Sequence, residues 1–258
     1  MDTLTYGPLQ AREIFHLEFL RRFSQKMRPG QYALKGGVNL RLFFRSPRYS
    51  EDMDLDVHGA SVDKVRDLVM AVLESRPFRD TLASYGIADI VPPDLRSAKQ
   101  TETTQRFKIH LTVAGGEDLF TKVEVSRRGA CAGAVVEPVR PEVVRHYKAP
   151  PLFCSHYAAP EAYAQKLGAL AGRSVVQARD IFDLYLLDTQ ADATALKSAR
   201  PGPSLLKAAR ENLLSVDFAR FRDTVLPYLA PEEAGTYVDP ARWDDVRLAV
   251  SQRIESLL

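Results

Sequence analysis

Residues 52–57 read Asp-Met-Asp-Leu-Asp-Val, a strict alternation of acidic and apolar side chains. Successive side chains of a β-strand point to opposite faces, so this period of two predicts a strand with Met53, Leu55 and Val57 on one face. The three carboxylates then share the other face. The stretch therefore predicts a half-buried strand with concentrated negative charge on its polar side.

Two adjacent glycines, Gly36 and Gly37, lie shortly before this strand, between a short predicted strand at 32–35 and a predicted helix at about 38–45. Glycines at the start of a helix let backbone N–H groups approach an anion, and the helix amino terminus favours negative charge. We therefore interpret this pair as a phosphate-binding turn. A plain tight turn is the more common use of such a pair, so the interpretation depends on its neighbours.

Asp54 and Asp56 stand two residues apart on the predicted strand, so their carboxylates project side by side. Mg²⁺ binds one or two carboxylates and completes its shell with substrate phosphates and water, and a cation would relieve the repulsion between the two aspartates. A second predicted strand, at 119–126, places Glu124 on its polar face as a candidate third ligand in a metal-assisted displacement. A merely solvated acidic face is the alternative.

The predicted elements change in character near residue 158. Before it, helices alternate with strands; after Pro160, the apolar period is helical almost throughout. The predicted helices are at about 13–27, 38–45, 62–74, 161–171, 178–187, 205–214, 218–229 and from 240, and the further strands at 87–91, 107–113 and 119–126. We therefore predict an α+β protein, with a mixed-sheet domain at 1–158 and a helical-bundle carboxy-terminal domain at 159–258.

Composition excludes several classes of protein. With 45% hydrophobic and 26% charged residues the chain is globular, and a net charge of +2 is too balanced to indicate nucleic-acid binding by itself. Cys131 and Cys154 have no C-x-x-C partner, which argues against a disulfide scaffold or a thiolate metal site and favours a reducing compartment. The first nine residues lack a signal pattern, and no apolar run approaches about 18 residues. We expect a cytoplasmic protein with no membrane partner.

The stretch LKGGVNLRLFF…SPRYSEDMDLDV resembles the signature of the DNA polymerase β-like nucleotidyltransferases, and specifically that of the AbiEii/AbiGii toxin family, G-G-x-x-L followed by S-x-D-x-D. The matching residues are Gly36, Gly37, Leu40, Ser50, Asp52, Asp54 and Asp56. Two assignments of the metal-binding pair are open, Asp54 with Asp56 or Asp52 with Asp54. The first is favoured because the family reads S-E-D-[LM]-D-h-D and the last pair lies deepest in the strand.

Three later motifs extend the resemblance over residues 34–187. KVEVS is similar to the family's second motif and carries Glu124; EAYAQKLGAL is similar to the third and carries Lys166. ARDIFDLYLL resembles the fourth, R-x-K-D-x-x-D, and carries Asp180 and Asp183. It departs from that motif at Gln177, where a basic residue is expected, and this leaves the electrostatic partner of Asp180 open.

Lys166 shares a helical stripe with apolar residues at spacings of three and four, so its ammonium needs an anion unless it reaches water. The resemblance implies that a nucleotide triphosphate supplies that anion. Asp180 and Asp183 also share a stripe, and pairing with Lys166 or Arg179 is the alternative to a role at the site. For Asp183, an ion pair that fixes the helical domain is almost equally favoured.

The resemblance implies a Mg²⁺-dependent nucleotidyltransferase, with Mn²⁺ as a substitute metal, that transfers NMP from an NTP to an acceptor and releases pyrophosphate. The acceptor would be RNA such as the tRNA 3′ end, or else a protein hydroxyl. It further implies a toxin of a toxin–antitoxin or phage-defence system, with a cognate antitoxin as partner. The residues that the resemblance implies as metal ligands are Asp54, Asp56 and Glu124. The implied catalytic residues are the same three together with Lys166 and Asp180. The implied nucleotide-binding residues are Gly36, Gly37, Ser50, Lys166 and Asp183.

Two other functions use similar residues, namely a nucleotide- or antitoxin-binding module without turnover and a metal-dependent phosphohydrolase. Basic residues between the motifs are candidates for a surface that receives phosphates, since arginine suits bidentate phosphate contact. These candidates are Arg41, Arg45 and Arg48, extended by Lys99, Arg106, Lys108, Arg127 and Arg128 if the strands bring them together.

Overall fold

The computed structural model describes residues 6–96, 98–190 and 201–258. The first five residues of the amino terminus, which we expect to lack a signal pattern, lie outside the described residues. The chain forms two compact units, one of Met1–Phe43 with Tyr49–Tyr157 and one of Phe44–Arg48 with Ala158–Leu258. The predicted α+β class with a mixed sheet is confirmed. That the chain divides into independent domains at residue 158 stays a prediction.

The first unit contains a seven-stranded sheet in the order β3-β4-β5-β2-β1-β7-β6. Its strands are β1 Tyr32–Lys35, β2 Asp52–Val57, β3 Ile87–Val91, β4 Thr104–Val113, β5 Asp118–Ser126, β6 Ala134–Pro138 and β7 Phe153–Tyr157. Strand β2 pairs antiparallel with β1 and parallel with β5. The acidic strand is therefore held between two neighbours at the centre of the sheet.

The helices of this unit are α1 Pro8–Ser24, α2 Gly36–Phe43, α3 Val62–Leu73, α4 Arg76–Ser84 and α5 Pro141–His146. The alternation that predicted β2 is confirmed, since Met53 and Leu55 are fully buried in the same core as Phe15 and Phe19 of α1. Each such side chain contributes about 1.5–3 kcal/mol when it leaves water. Burial of this face fixes which side of β2 carries its carboxylates.

The second unit is helical, with α6 Ala159–Gly172, α7 Ala178–Asp188, α8 Pro203–Leu214, α9 Phe218–Thr224, α10 Pro231–Ala234 and α11 Pro240–Leu257. Fully buried Trp243 stacks on Phe221, with 4.3 Å between ring centroids. The helix predicted at 218–229 ends at Thr224 and continues as a 3₁₀ turn around Pro227, because proline removes a helical N–H donor. Among the described residues, no helix is long and apolar enough to cross a membrane.

The sequence patterns did not predict α4, α5, β6 or β7. Strand β7 reads Phe-Cys-Ser-His-Tyr and is buried over its last four residues, so it lacks the alternation of a half-buried strand. Its pairing partners are β6 and the distant β1. This strand therefore depends on tertiary contacts that a local pattern does not contain.

Candidate active site

The turn from β1 into α2 places backbone directly against the acidic strand. Gly36 has φ +70°, a conformation that L side chains rarely adopt, and a Cβ at this position would lie 2.7 Å from Asp54 Oδ2. Glycine is therefore required both by the backbone angle and by the close approach of the carboxylate. Helix α2 begins at Gly36, and Gly37 is buried in its first turn. The predicted diglycine turn and the acidic face are thus brought together.

Strand pairing brings carboxylates from two strands onto one face. In the parallel register of β2 with β5, Asp54 lies opposite Glu124, and in the antiparallel register with β1 it lies opposite Lys35. Side chains at paired positions share a face, so Asp54 is flanked by an acid on one side and a base on the other. We call Asp52, Asp54, Asp56 and Glu124 the carboxylate cluster.

Asp54 is the member of the cluster without a protein partner. Burial raises the pKa of Asp54, the charges of Glu124 and Asp52 raise it further, and Lys35 and Lys122 oppose the shift. Its carboxylate has no hydrogen bond or ion pair to the residues that the structure describes. A half-buried carboxylate in this condition is stabilised when a cation or a proton joins it.

Asp56 is in a different environment. It is buried, Lys35 Nζ lies 2.5 Å from its Oδ1, and the Tyr157 hydroxyl donates a hydrogen bond of 2.7 Å to its Oδ2. A Cβ at Gly129 would lie 3.0 Å from the same Oδ2. Asp56 is therefore held rigidly, and its charge is balanced within the protein.

The remaining acids of the cluster also have basic partners. Arg106 Nε donates to Glu124 Oε2 at 2.7 Å, and Lys122 Nζ lies 3.0 Å from Asp52 Oδ2 and 3.8 Å from Glu124 Oε2. These pairs are partly exposed, so each contributes about 0–1 kcal/mol to stability. They orient Glu124 on the face it shares with Asp54.

Ser50 lies just before β2, and its hydroxyl donates a hydrogen bond of 2.8 Å to the carbonyl of Asp52. This contact ties the entry of the strand to its first residue. The Ser50 O–H group is engaged in this bond, but the hydroxyl oxygen can still accept a hydrogen bond. The predicted contact of Ser50 with a nucleotide stays a prediction.

Lys166, Asp180 and Asp183 form a buried ion network within the second unit. Lys166 Nζ lies 2.9 Å from Asp180 Oδ1 and 2.6 Å from Asp183 Oδ2, and both carboxylates are fully buried. Arg173 Nε lies 2.8 Å from Asp180 Oδ2, and Arg48 donates hydrogen bonds of 2.9, 3.1 and 3.2 Å to Asp183. The anion that the position of Lys166 requires is thus supplied by these two aspartates.

Burial raises the pKa of Asp183, but the charges and hydrogen bonds of Arg48 and Lys166 outweigh burial and leave that pKa below its ordinary value. The partners of Asp180 are Lys166 and Arg173, whereas Arg179 is exposed. The electrostatic partner of Asp180, which the fourth motif left open, therefore includes Arg173, a residue outside that motif.

Two arginines expected at a phosphate-receiving surface are engaged with internal acids. Arg41 Nε lies 2.7 Å from Glu13 Oε1 and its guanidinium covers the Tyr49 ring at 4.1 Å, and Arg48 binds Asp183. Arg45 is exposed. Buried pairs of this kind organise the fold, because a guanidinium without its carboxylate would be strongly destabilising there.

Two residues at the cluster were missed by the sequence analysis. The signal for Lys35 is its place directly before Gly36, since the alternation of β1 puts it on the face opposite buried Leu34. Tyr157 carries no local signal because β7 was not predicted. Together they determine the surroundings of Asp56.

The predicted site residues thus fall into two sets. Gly36, Gly37, Ser50 and the carboxylate cluster belong to the first unit, and Lys166, Asp180 and Asp183 to the second. Within the described ranges, no three His, Cys, Asp or Glu side chains are grouped so that they could hold a metal ion. The donor chemistry nevertheless suits a divalent cation, because the half-buried carboxylate of Asp54 makes no hydrogen bond or ion pair with the residues that the structure describes.

Comparison with known proteins is consistent with this geometry. The family model described as nucleotidyl transferase AbiEii toxin, type IV TA system, matches residues 18–246. JHP933 from Helicobacter pylori is similar in structure, with a TM-score of 0.62 and 17% identity over 98% of this chain and 92% of that one. The nucleotidyltransferase toxin MenT4 from Mycobacterium tuberculosis has a TM-score of 0.61 and 16% identity over 97% and 84%. No curated protein matches in sequence.

Proposed function

The chain belongs to the AbiEii family of nucleotidyltransferase toxins of type IV toxin–antitoxin systems, and on this premise we propose that it transfers NMP from an NTP to the 3′ end of an RNA such as tRNA. The proposal includes Mg²⁺ dependence, a cytoplasmic location, a cognate antitoxin and a role in phage defence. The single observation that carries it is the position of Asp54, between the Gly36 backbone and Glu124.

Asp54 and Asp56 would hold the divalent cation, with Glu124 opposite as the third carboxylate. The half-buried carboxylate of Asp54 has no hydrogen bond or ion pair to the described residues, and this supports the assignment, because a cation beside it would favour its ionised form. Bound there, Mg²⁺ or Mn²⁺ would neutralise phosphate charge and stabilise the leaving pyrophosphate. The alternative pair, Asp52 with Asp54, is disfavoured because the Asp52 side chain is 41% exposed, whereas that of Asp56 is 7% exposed; each has a lysine partner.

The protein groups around the cluster would position the substrates. Backbone N–H groups at Gly36 and Gly37 suit the negative oxygens of the triphosphate. In the reaction, the acceptor hydroxyl oxygen bonds to the α-phosphorus, the bond from that phosphorus to the bridging oxygen of the β-phosphate breaks, and Glu124 accepts the hydroxyl proton. Placement and charge balance supply most of the rate enhancement in such displacements.

Lys166, Asp180 and Asp183 stay proposed as nucleotide-site residues on the strength of the family motifs. Their buried ion network supports a second role, in which they stabilise the helical unit. The two roles differ in what a substitution changes. A nucleotide ligand can be removed with little loss of stability, whereas breaking a buried pair costs about 3–5 kcal/mol.

The experiment is an incubation of the protein with Mg²⁺, each α-phosphate-labelled NTP in turn and total RNA. We expect label in RNA from at least one nucleotide, none after chelation of the metal, and none with Asp54→Ala or Asp56→Ala. Label in protein would instead assign a protein hydroxyl as acceptor. Nucleotide binding without transfer would indicate an inactive binding module, and phosphate release without an acceptor a phosphohydrolase.

A further inference from the structure

The face of the sheet that carries the carboxylate cluster continues over β5 and β4 as an exposed surface. Residues that alternate toward the core, such as Phe107 and Val123, are fully buried, whereas Arg106 and Lys108 on the opposite face are exposed. Phe120 lies on this exposed face with 64% of its surface accessible. A single exposed aromatic ring is common on protein surfaces, so its neighbours decide whether it serves a ligand.

Phe120 is held in a defined orientation. Its ring stacks on His110 across the strand pair, with 4.8 Å between centroids and 21° between planes, and Arg12 Nε donates a hydrogen bond of 2.9 Å to its carbonyl. The two rings form a stack, and the Phe120 ring keeps most of its surface open to solvent. Aromatic surfaces of this kind on sheets stack unpaired nucleotide bases, because every base has a π-face.

Two like charges lie directly opposite each other beside this surface. Lys108 of β4 pairs in register with Lys122 of β5, an arrangement that is destabilising unless an anion lies between the two. Lys122 reaches Asp52, but Lys108 has no ion pair with the residues that the structure describes. A phosphate group between the two ammonium groups would relieve this repulsion.

A shallow groove connects these features to the cluster. It is lined by Glu51, Asp52, Lys108, Phe120, Thr121 and Lys122. Phe120, Lys122 and Glu124 lie on one face of β5 at every second residue. At about 3.3 Å per residue, the Cα atoms of Phe120 and Glu124 are about 13 Å apart. We call this surface the β4–β5 groove. The groove ends at Asp52, which is two residues before Asp54 on the same face of β2.

The groove and the diglycine turn lie on opposite sides of the acidic strand. The sheet order β4-β5-β2-β1 puts Gly36, at the end of β1, on one flank of Asp54, and Phe120 on the other. A nucleotide with its phosphates at Gly36 therefore leaves the β4–β5 groove for the other reactant. Lys108, Lys122 and the aromatic ring together suit a single nucleic-acid strand on this flank, beside the acids Glu51 and Asp52.

We propose that the β4–β5 groove binds the single-stranded 3′ end of the acceptor RNA, with one base stacked on Phe120 and a phosphate between Lys108 and Lys122. This assignment rests on the proposed transfer to RNA and adds the residues that recognise the acceptor. The basic residues Arg106 and Lys108, expected from sequence to border the site, are placed on this flank. Recognition by stacking and charge predicts little dependence on base sequence.

The first test is binding of a fluorescently labelled single-stranded RNA with a free 3′ hydroxyl, measured by anisotropy without NTP. Phe120→Ala is expected to weaken binding about ten-fold, the loss of one stacked base, whereas Phe120→Trp retains it. Lys108→Gln is expected to lower the slope of log affinity against log salt by about 0.7. Phe153→Ala is the matched control, since Phe153 is 61% exposed on β7 of the same sheet, and Lys64→Gln controls for charge.

Transfer measurements separate this proposal from the proposed function. With labelled NTP and varied RNA, Phe120→Ala should raise KM for RNA about ten-fold and keep kcat, since it removes binding rather than chemistry. If label enters RNA but Phe120→Ala binds RNA as tightly as wild type, the proposed role of the β4–β5 groove is wrong and the proposed function stands. The same holds if Phe153→Ala weakens RNA binding as much as Phe120→Ala does. RNA binding that depends on Phe120, with no transfer to any RNA, supports the groove and overturns the function.

Discussion

Replacement of Gly36 by alanine tests whether the diglycine turn is fitted to the carboxylate cluster. The new Cβ would lie 2.7 Å from Asp54 Oδ2, whereas ordinary Cβ contacts begin near 3.4 Å, so the carboxylate must retreat by about 0.7 Å. The positive φ adds about 1–2 kcal/mol of backbone strain. Because displacements near 1 Å can cost about a hundred-fold in rate, we expect transfer to fall ten- to a hundred-fold.

Gly30→Ala separates strain from displacement. Gly30 has φ +82° and nothing within 4 Å of the position its Cβ would take, so this variant carries the same backbone strain without the clash. Urea denaturation followed by circular dichroism should show stability losses of about 1–2 kcal/mol for both variants. Label transfer should fall only in Gly36→Ala. Full activity in Gly36→Ala, or an equal loss in Gly30→Ala, would refute the reasoning.

Three further substitutions probe the partners of the acidic groups. Asp54→Asn should lower transfer strongly, to a residual rate, yet raise the free energy of unfolding at neutral pH, because burial raises the pKa of Asp54 and penalises its ionised form in the fold. Asp183→Asn should destabilise by about 3–5 kcal/mol at neutral pH, because it removes the carboxylate charge that the buried Arg48 guanidinium contacts and leaves Lys166 with Asp180 alone. Tyr157→Phe should cost about 0.5–1.5 kcal/mol, since it removes one hydrogen bond to Asp56.

Chemical denaturation as a function of pH checks the second of these. The pKa of Asp183 lies below its ordinary value in the fold, so its stabilising contribution is complete above about 3.9, the value in an unfolded chain, and is lost as pH falls through the folded value. The difference between wild type and Asp183→Asn should therefore shrink in acid. Exposed Asp63→Asn is the control. The role of Asp183 would be contradicted if the difference in free energy of unfolding between wild type and Asp183→Asn stayed constant with pH. The role of Asp54 would be contradicted if Asp54→Asn lowered stability.

The period of two at 52–57 and 118–126 is sufficient to predict which face of each strand carries its acids, because burial of the apolar positions forces the acids onto the other face. The pairing of Asp54 with Glu124 needs the parallel contact of β2 with β5, which no local pattern contains. The same holds for Tyr157 at Asp56, which depends on β7 joining the sheet beside β1.

The second unit shows a different limit of sequence reasoning. Apolar spacing correctly places Lys166, Asp180 and Asp183 on the inner faces of their helices, but it does not say which charges meet there. Arg48 reaches Asp183 from 135 residues away. A helical pattern gives the direction of a side chain, whereas its ion-pair partner is decided by the tertiary fold.

The central claim, that carboxylates from two strands act on one reacting centre, is tested most directly by a double-mutant cycle on label transfer to RNA. Asp54→Asn and Glu124→Gln are measured singly and together. Residues that act as a unit are strongly non-additive, so the double variant should be about as active as the worse single variant. Losses that multiply would show that the two carboxylates act independently and would contradict the account.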